Sequence, residues 1–227
     1  MLSAFDVSPI DGSSLALETR TVEAGSAVRV GHETSDSLVY IVSGTGRLAL
    51  AGDARDVAER SASLVLAGED ATVEAHDELT LMVATVDGGV DLHAPMGRRE
   101  LVTSLDVADA QRATGARSFQ ILFGPHNGST RATLFAGFIP PGKSPWHYHL
   151  YDEIVLVPDG PGRLHLADGD EELGAGAAFR LRPRQVHIVE NESADRELTI
   201  IGIFTPAGSP SAAYLTSEVA AEYRFAD

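Results

Sequence analysis

Three side chains that can bind a metal stand close together in the segment PWHYHLYDE (145–153). His147 and His149 are two residues apart, so on a β-strand they point to the same face, and Glu153 has the same parity. A third histidine, His187, follows in the segment VHIVEN. Three imidazoles and one carboxylate form a ligand set that accepts Mn, Fe, Co, Ni, Cu or Zn. The alternative is that these are ordinary polar side chains on solvated loops.

The composition limits what kind of site this is. The chain has no cysteine, which excludes disulfides and thiolate metal ligands. Its net charge of −16 disfavours binding to nucleic acids or to anionic membrane surfaces. No apolar run is long enough to span a bilayer, and the start, MLSAFDVSPI, lacks the basic and apolar regions of a secretory signal. We therefore expect a cytoplasmic protein that binds neither nucleic acids nor membranes.

The segments that must position these side chains belong to an internal sequence repeat. The segment LVYIVSGTGRLALAG (38–52) resembles IVLVPDGPGRLHLADG (154–169), and Gly44 matches Gly160 at an offset of 116 residues. One register holds over both segments with only small gaps, which indicates a duplication.

Both halves consist of short apolar or alternating segments between Gly, Asp and Ser residues, a pattern that predicts a β-sandwich or β-barrel. Helix is scarce, and only SLDVADAQRA (104–113) and SEVAAEYRF (217–225) could form a few turns of it. We predict an N-terminal barrel over residues 1–100, a connection over 101–118 and a C-terminal barrel over 119–227.

The chain resembles the cupins, and in particular the bicupins with two such domains. The first cupin motif is a Gly, a His-x-His, a Glu and a second Gly. It is matched, with the first gap one residue short, by Gly142, His147, His149, Glu153 and Gly160.

The second cupin motif is a Gly, a Pro-x-Gly, a His and an Asn. Gly176, His187 and Asn191 match it in frame. Arg182 and Arg184 stand where the family usually has its Pro and its second Gly, and a proline follows one residue late. The two motifs together form a specific signal, and the resemblance covers both halves of the chain.

The resemblance implies an all-β protein of two tandem double-stranded β-helix (jelly-roll) barrels. It also implies one divalent metal per chain, bound at the mouth of the second barrel by His147, His149, Glu153 and His187. Glu153 could in addition serve as a catalytic base. Tyr151 shares the parity of the ligands and could line the pocket as a hydrogen-bond donor or acid, or it could lie in the turn.

The first half lacks this set. Moving the motif back by the repeat offset places it on Gly31, Glu33 and Ser37, with Ala71 or Thr72 near the position of the later histidine. His32 is one residue out of register, so its side chain should face the other way. We therefore predict a metal in the second barrel only, with the first barrel serving stability, pairing of the halves or one wall of the cavity.

Four protein ligands leave open positions on a metal that prefers six, which is typical of catalytic sites. The resemblance favours a dioxygenase-type oxidoreductase that acts on a small organic substrate. One alternative is an isomerase or lyase that works through an enediolate, and another is a non-catalytic module that binds a small molecule. Two barrels expose sheet edges that need pairing or cover, so we expect a homodimer.

Overall fold

The chain is all-β in the computed structural model, which describes residues 6–7, 14–50, 52–113 and 116–215. Twenty-two strands, β1 to β22, account for the regular structure of these residues, which contain no helix. The prediction of an all-β chain is thereby confirmed. No helix among the described residues is long and apolar enough to cross a membrane.

The first half forms two antiparallel sheets. A six-stranded sheet has the order β1-β2-β9-β4-β7-β10, and a four-stranded sheet has the order β3-β8-β5-β6. The strands are β1 Asp6–Val7, β2 Leu15–Val22, β3 Ala27–Arg29, β4 Ser35–Ser43, β5 Thr45–Leu50, β6 Asp53–Ala58, β7 Ser61–Val65, β8 Ala71–Ala75, β9 Leu79–Asp87 and β10 Val102–Ser104.

The second half repeats the arrangement. One sheet has the order β11-β12-β13-β21-β16-β19, and the other has the order β18-β17-β20-β15-β22, with β14 beside β20. The strands are β11 Ala110–Arg112, β12 Ser118–Phe123, β13 Thr133–Ile139, β14 Gly142–Lys143, β15 His147–His149, β16 Asp152–Val157, β17 Gly162–Leu166, β18 Gly169–Leu173, β19 Ala177–Leu181, β20 His187–Asn191, β21 Leu198–Thr205 and β22 Ala213–Leu215.

The central strands are apolar on both faces because each face meets a different core. On β16, Val155 and Val157 point into the second barrel, whereas Ile154 and Leu156 pack against the first barrel. One cluster of buried side chains therefore joins the two six-stranded sheets, and a separate apolar cluster fills each barrel. This packing makes one wall of the second barrel continuous with the interface between the two halves.

The segment predicted as the connection, 101–118, contributes a strand to each half. β10 pairs with β7 in the first half, and β11 pairs with β12 in the second. The helix predicted over 104–113 is wrong. The carbonyls of Leu105 and Ala108 accept hydrogen bonds from the Gln120 side chain, which holds this stretch as a turn. The other predicted helix, 217–225, lies outside the described residues.

Candidate metal centre

The four predicted ligands come together at one end of the second barrel. β15 carries His147 and His149, β16 carries Glu153, and β20 begins at His187, which lies opposite His147 in the ladder. All four side chains are buried. The ring centroids of His147 and His187 are 4.3 Å apart, and those of His149 and His187 are 5.2 Å apart. Residues from three separate strands therefore face one small space.

Backbone carbonyls orient all three imidazoles in the same way. The Nδ1 atom of His147 lies 2.8 Å from the carbonyl of Pro145, and that of His187 lies 2.9 Å from the carbonyl of Gln185. The Nδ1 atom of His149 lies 3.0 Å from the carbonyl of Tyr151. A carbonyl only accepts hydrogen bonds, so each Nδ1 carries a proton and donates it. In the neutral ring, Nε2 then keeps its lone pair, as a metal ligand requires.

Burial keeps two of these rings neutral. Burial, with the nearby charge of Arg117 as the next largest cause, lowers the pKa of His147 to about 4. Burial likewise lowers the pKa of His187 to about 3, with His147 as the next largest cause. Both side chains are therefore uncharged near neutral pH, because the charged imidazolium loses more hydration on burial than the neutral ring does.

One contact in the site calls for a cation. The Nε2 atom of His149 lies 2.8 Å from the Oε2 atom of Glu153, yet this nitrogen has no hydrogen-bond partner. We attribute the short contact to two facing acceptors, because Nδ1 of the same ring holds the proton. Two buried electron-rich atoms repel each other at this distance unless a positive charge stands beside them. Ligands about 2.1 Å from one ion and at right angles lie about 3.0 Å apart, which this pair matches closely.

The four side chains do not form a complete metal-coordination site as they stand. Within the ranges that the structure describes, no three His, Asp or Glu side chains are spaced as a complete set of metal ligands. The Nη1 atom of Arg117 lies 3.5 Å from Nε2 of His147, a nitrogen that would have to face the ion. The residue types and their tautomers fit a divalent metal, and binding it would draw the side chains toward a common point.

A cavity of about 80 Å³ opens beside these residues. Since one water needs roughly 10–15 Å³ on the same scale, the space has room for several waters or for a small organic molecule. Its lining includes the aromatic residues Phe119, Phe135 and Phe138, and it also includes Pro210, Ser211 and Ala213.

Tyr151 lies in this cavity rather than in an exposed turn. Its ring stacks on His149 with centroids 4.1 Å apart and on Phe204 with centroids 3.9 Å apart. Its hydroxyl is 3.5 Å from the carbonyl of Pro210. Burial, and then the charge of Glu153, raise the pKa of Tyr151 well above its ordinary value. The phenol therefore stays protonated and can donate a hydrogen bond, but it is a weak acid.

Comparison with known proteins places this site in a family. Residues 136–204, which include all four predicted ligands, match the cupin domain family. The match lies within the second barrel and covers less than half of the chain. No curated protein sequence matches the chain.

Solved structures share the fold of this chain over most of its length. A mutant of Bacillus subtilis oxalate decarboxylase has a TM-score of 0.75 at 14% identity, covering 94% of this chain and 74% of that one. AerE from Microcystis aeruginosa has a TM-score of 0.70 at 12% identity, covering 86% of this chain and 88% of that one. A cupin 2 conserved barrel domain protein from Leptotrichia buccalis reaches 0.61 at 14% identity, covering 87% and 86%. These likenesses support the two-barrel prediction.

The loop that departs from the second cupin motif still holds the site. Arg184 stands in place of the usual glycine and adopts a left-handed conformation with φ of 67°. Its amide donates to the carbonyl of His149 at 2.7 Å. Gln185, the next residue, supplies the carbonyl that orients His187. Asn191 of the same motif has a structural part, since its side-chain amide donates to the carbonyls of Ile139 and Arg196.

The first barrel repeats the register of the second without its ligands. Leu50 pairs with Ala71 as Leu166 pairs with His187, so Ala71 stands at the position of the later histidine. Ser37 pairs with Val65 as Glu153 pairs with Leu181. The other two positions hold Gly31 and Glu33, and Glu33 is exposed.

Sequence reasoning missed Arg117. This half-buried residue lies immediately before β12 and reaches the site from 30 positions before His147. No motif surrounds it. The only available signal is its place just before a strand with a buried Phe119, which indicates a strand that borders the barrel interior.

Proposed function

We propose that this chain is a metal-dependent cupin enzyme that acts on a small organic substrate. One divalent metal per chain would be bound by Nε2 of His147, His149 and His187 and by the carboxylate of Glu153. The observation that carries the proposal is the set of buried acceptors that face one another, above all His149 Nε2 and Glu153 Oε2 at 2.8 Å. The cavity beside them provides room for a substrate.

The ligand set of nitrogen and oxygen atoms suits Mn, Fe, Co, Ni, Cu or Zn. Oxalate decarboxylase from Bacillus subtilis, a structural neighbour at 14% identity, has Mn(II) centres. Manganese is therefore the first metal to test. When bound, the metal would act as a Lewis acid toward a carboxylate or enolate oxygen of the substrate and, if redox-active, would allow one-electron chemistry with dioxygen.

The residues of the chain have distinct parts in this scheme. The three imidazoles are held by the carbonyls of Pro145, Tyr151 and Gln185, so they offer preoriented lone pairs. Glu153 is the one carboxylate among the described residues that line the cavity, and a carboxylate there can accept a proton from a substrate carbon or hydroxyl. Tyr151 keeps the His149 ring in place by stacking and can donate a hydrogen bond.

Two reaction classes compete, and the cavity favours oxidation by dioxygen. Phe119, Phe135 and Phe204 form an apolar cluster next to the ligands, and a neutral apolar gas partitions into such surroundings. Chemistry of the lyase or isomerase type is the second candidate. It is favoured by the structural likeness to oxalate decarboxylase, which has the largest TM-score of the three structures above.

The experiment has two stages. First, the protein is loaded with Mn(II) or Fe(II) and the bound metal is counted by elemental analysis, with one equivalent expected per chain. His187→Ala should bind metal on the order of a hundredfold more weakly, because losing a ligand costs at least as much as losing its outer partner. The control is His32→Ala, which removes an exposed histidine of the first barrel. Two equivalents per chain, or unchanged binding in His187→Ala, would contradict the proposal.

In the second stage, loaded protein is given small carboxylic acids, including oxalate, and enolic compounds. Oxygen uptake is recorded together with product formation under air and under argon. Uptake in step with product supports the oxidase-type reaction. Product under both gases without uptake supports a lyase or isomerase. Tight binding with no product in either case would show a non-catalytic binding module.

A further inference from the structure

The end of β19 and the turn that follows it carry positive charges that the proposed metal site does not use. Arg180, Arg182 and Arg184 stand close together in a chain that has only 17 Lys and Arg residues against 33 Asp and Glu. Together with Pro183 and Gln185 they line an open concavity of about 430 Å³, the arginine cleft. None of these residues is among those that line the cavity beside the predicted metal ligands. The cleft is therefore a separate feature of the surface.

Two of the three arginines of the cleft have no anionic partner among the residues that the structure describes. Arg180 donates two hydrogen bonds to the carboxylate of Asp152, of 2.8 and 2.6 Å. Arg182 and Arg184 are exposed, and within the described part of the chain neither guanidinium forms a hydrogen bond or an ion pair. Like charges that share one concavity repel each other, so an anion bound between these two guanidiniums would be stabilised by both.

The backbone of the turn fixes the points from which these two side chains extend. The amide of Arg182 donates to Oε1 of Gln185 at 3.0 Å, and the amide of Arg184 donates to the carbonyl of His149 at 2.7 Å. Arg184 also has the left-handed φ of 67°, which is unfavourable for a residue with a Cβ atom. An arginine at a position whose backbone favours glycine indicates a use for the side chain.

We propose that the arginine cleft binds the phosphate group of a small molecule through Arg182 and Arg184. A phosphate monoester carries nearly two negative charges at neutral pH and presents three terminal oxygens, which match two guanidinium groups. A carboxylate has one charge and two oxygens, so a single guanidinium satisfies it. The net charge of −16 disfavours the phosphates of nucleic acids and of membrane surfaces, which leaves a small phosphorylated molecule as the ligand.

The test measures phosphate binding directly. The protein is titrated calorimetrically with inorganic phosphate at mildly alkaline pH, where this probe is largely a dianion. The double variant Arg182→Gln/Arg184→Gln should bind phosphate at least about tenfold more weakly, since losing one hydrogen bond to a charged group already has about that effect. Arg182→Lys/Arg184→Lys keeps both charges without the planar donors and should be intermediate. Acetate should bind the parent protein more weakly than phosphate does.

The matched control is Arg98→Gln/Arg112→Gln, which removes two exposed arginines outside the cleft. The net charge of the protein changes by the same amount in both double glutamine variants, so the control reports the effect of overall charge alone. It should bind phosphate about as tightly as the parent does. Circular dichroism checks that every variant folds like the parent.

Each titration is made with and without Mn(II), because phosphate could also bind to a metal. Binding at the cleft should be the same in both conditions. Phosphate binding that requires Mn(II) and is unchanged in Arg182→Gln/Arg184→Gln would place the anion at the metal and overturn the inference. A parent protein that binds no phosphate, or an equal loss in the control variant, would also overturn it. None of these outcomes decides whether the four predicted ligands bind a metal, which the elemental analysis tests.

Discussion

The two barrels share one strand register, and they differ in the space they keep for a site. In the second barrel, buried side chains from β15, β16 and β20 surround a cavity. In the first barrel, the backbone closes over the corresponding place. A Cβ atom on Gly31, the counterpart of His147, would lie 2.2 Å from the carbonyl oxygen of Glu69. The first barrel therefore lacks both the four side chains and the space that they would occupy.

The second barrel keeps its room with a glycine on a neighbouring strand. A Cβ atom on Gly202 would lie 2.3 Å from the Phe135 ring and 2.8 Å from Oε1 of Glu153. Because Gly202 has no side chain, the aromatic wall and the carboxylate fit beside β21. The proposed metal centre thus needs the four side chains and also a backbone that stays clear of them.

Replacing Glu153 should have the largest effect on activity. Its counterpart in the first barrel, Ser37, has no acidic group. Glu153→Gln keeps the shape of the side chain but removes the anionic ligand and the proton acceptor. We expect turnover to fall on the order of 10³-fold, even at saturating metal, and circular dichroism to match the parent. Rates are measured with protein whose metal content has been determined.

Glu190→Gln is the matched control for Glu153→Gln. This glutamate is on β20 of the same barrel, and its Oε2 atom lies 2.7 Å from Nε2 of His165. It is not among the residues that line the cavity. It should keep parental turnover. A metal-saturated Glu153→Gln protein with full turnover would remove the base from the proposed mechanism and make the two barrels differ in metal binding alone.

The all-β fold could be predicted from the sequence because it depends on local spacing, and the family resemblance pointed to the four side chains that the structure brings together. Alternation along β16 separates Val155 from Ile154, and the parity of His147 and His149 puts both rings on one side. Arg117 could not be predicted, because its approach depends on how a distant hairpin packs. The helix predicted over 104–113 failed for the same reason, since the carbonyls that would sustain it bind the Gln120 side chain.

A substitution with a smaller expected effect tests whether the close backbone approach at Gly31 is required for the stability of the first barrel. Gly31→Ala places a Cβ atom against the Glu69 carbonyl, so we expect the free energy of unfolding to fall by about 2–3 kcal/mol. Gly174→Ala in the second barrel is the control, since its Cβ would meet nothing within 4 Å. Chemical denaturation measures both. An unchanged free energy of unfolding in Gly31→Ala would mean that the backbone around Gly31 can move apart. Metal-binding side chains could then be introduced into the first barrel.

The smallest effect concerns the turn before the last ligand. Arg184 has φ of 67°, and its counterpart at the repeat offset, Gly68, has φ of 83°. Both amides donate to a backbone carbonyl, that of His149 for Arg184 and that of His32 for Gly68. The two turns thus share a backbone conformation and differ in whether a side chain is present. A left-handed conformation is unfavourable for any residue with a Cβ atom, by about 1–2 kcal/mol.

Exchanging the two residue types should move stability in opposite directions. Arg184→Gly relieves the strain, but glycine gains about 0.5–1 kcal/mol of freedom in the unfolded chain, so a net gain of about 0.5 kcal/mol remains. Gly68→Ala should lose a similar amount, and it isolates conformation because its Cβ would meet only the Glu33 carbonyl, at 3.9 Å. Arg184→Ala removes the charge while keeping the Cβ and should leave the unfolding free energy unchanged. A gain in Arg184→Ala equal to that in Arg184→Gly would show that the charge of the arginine, and not its backbone conformation, distinguishes this turn from its counterpart.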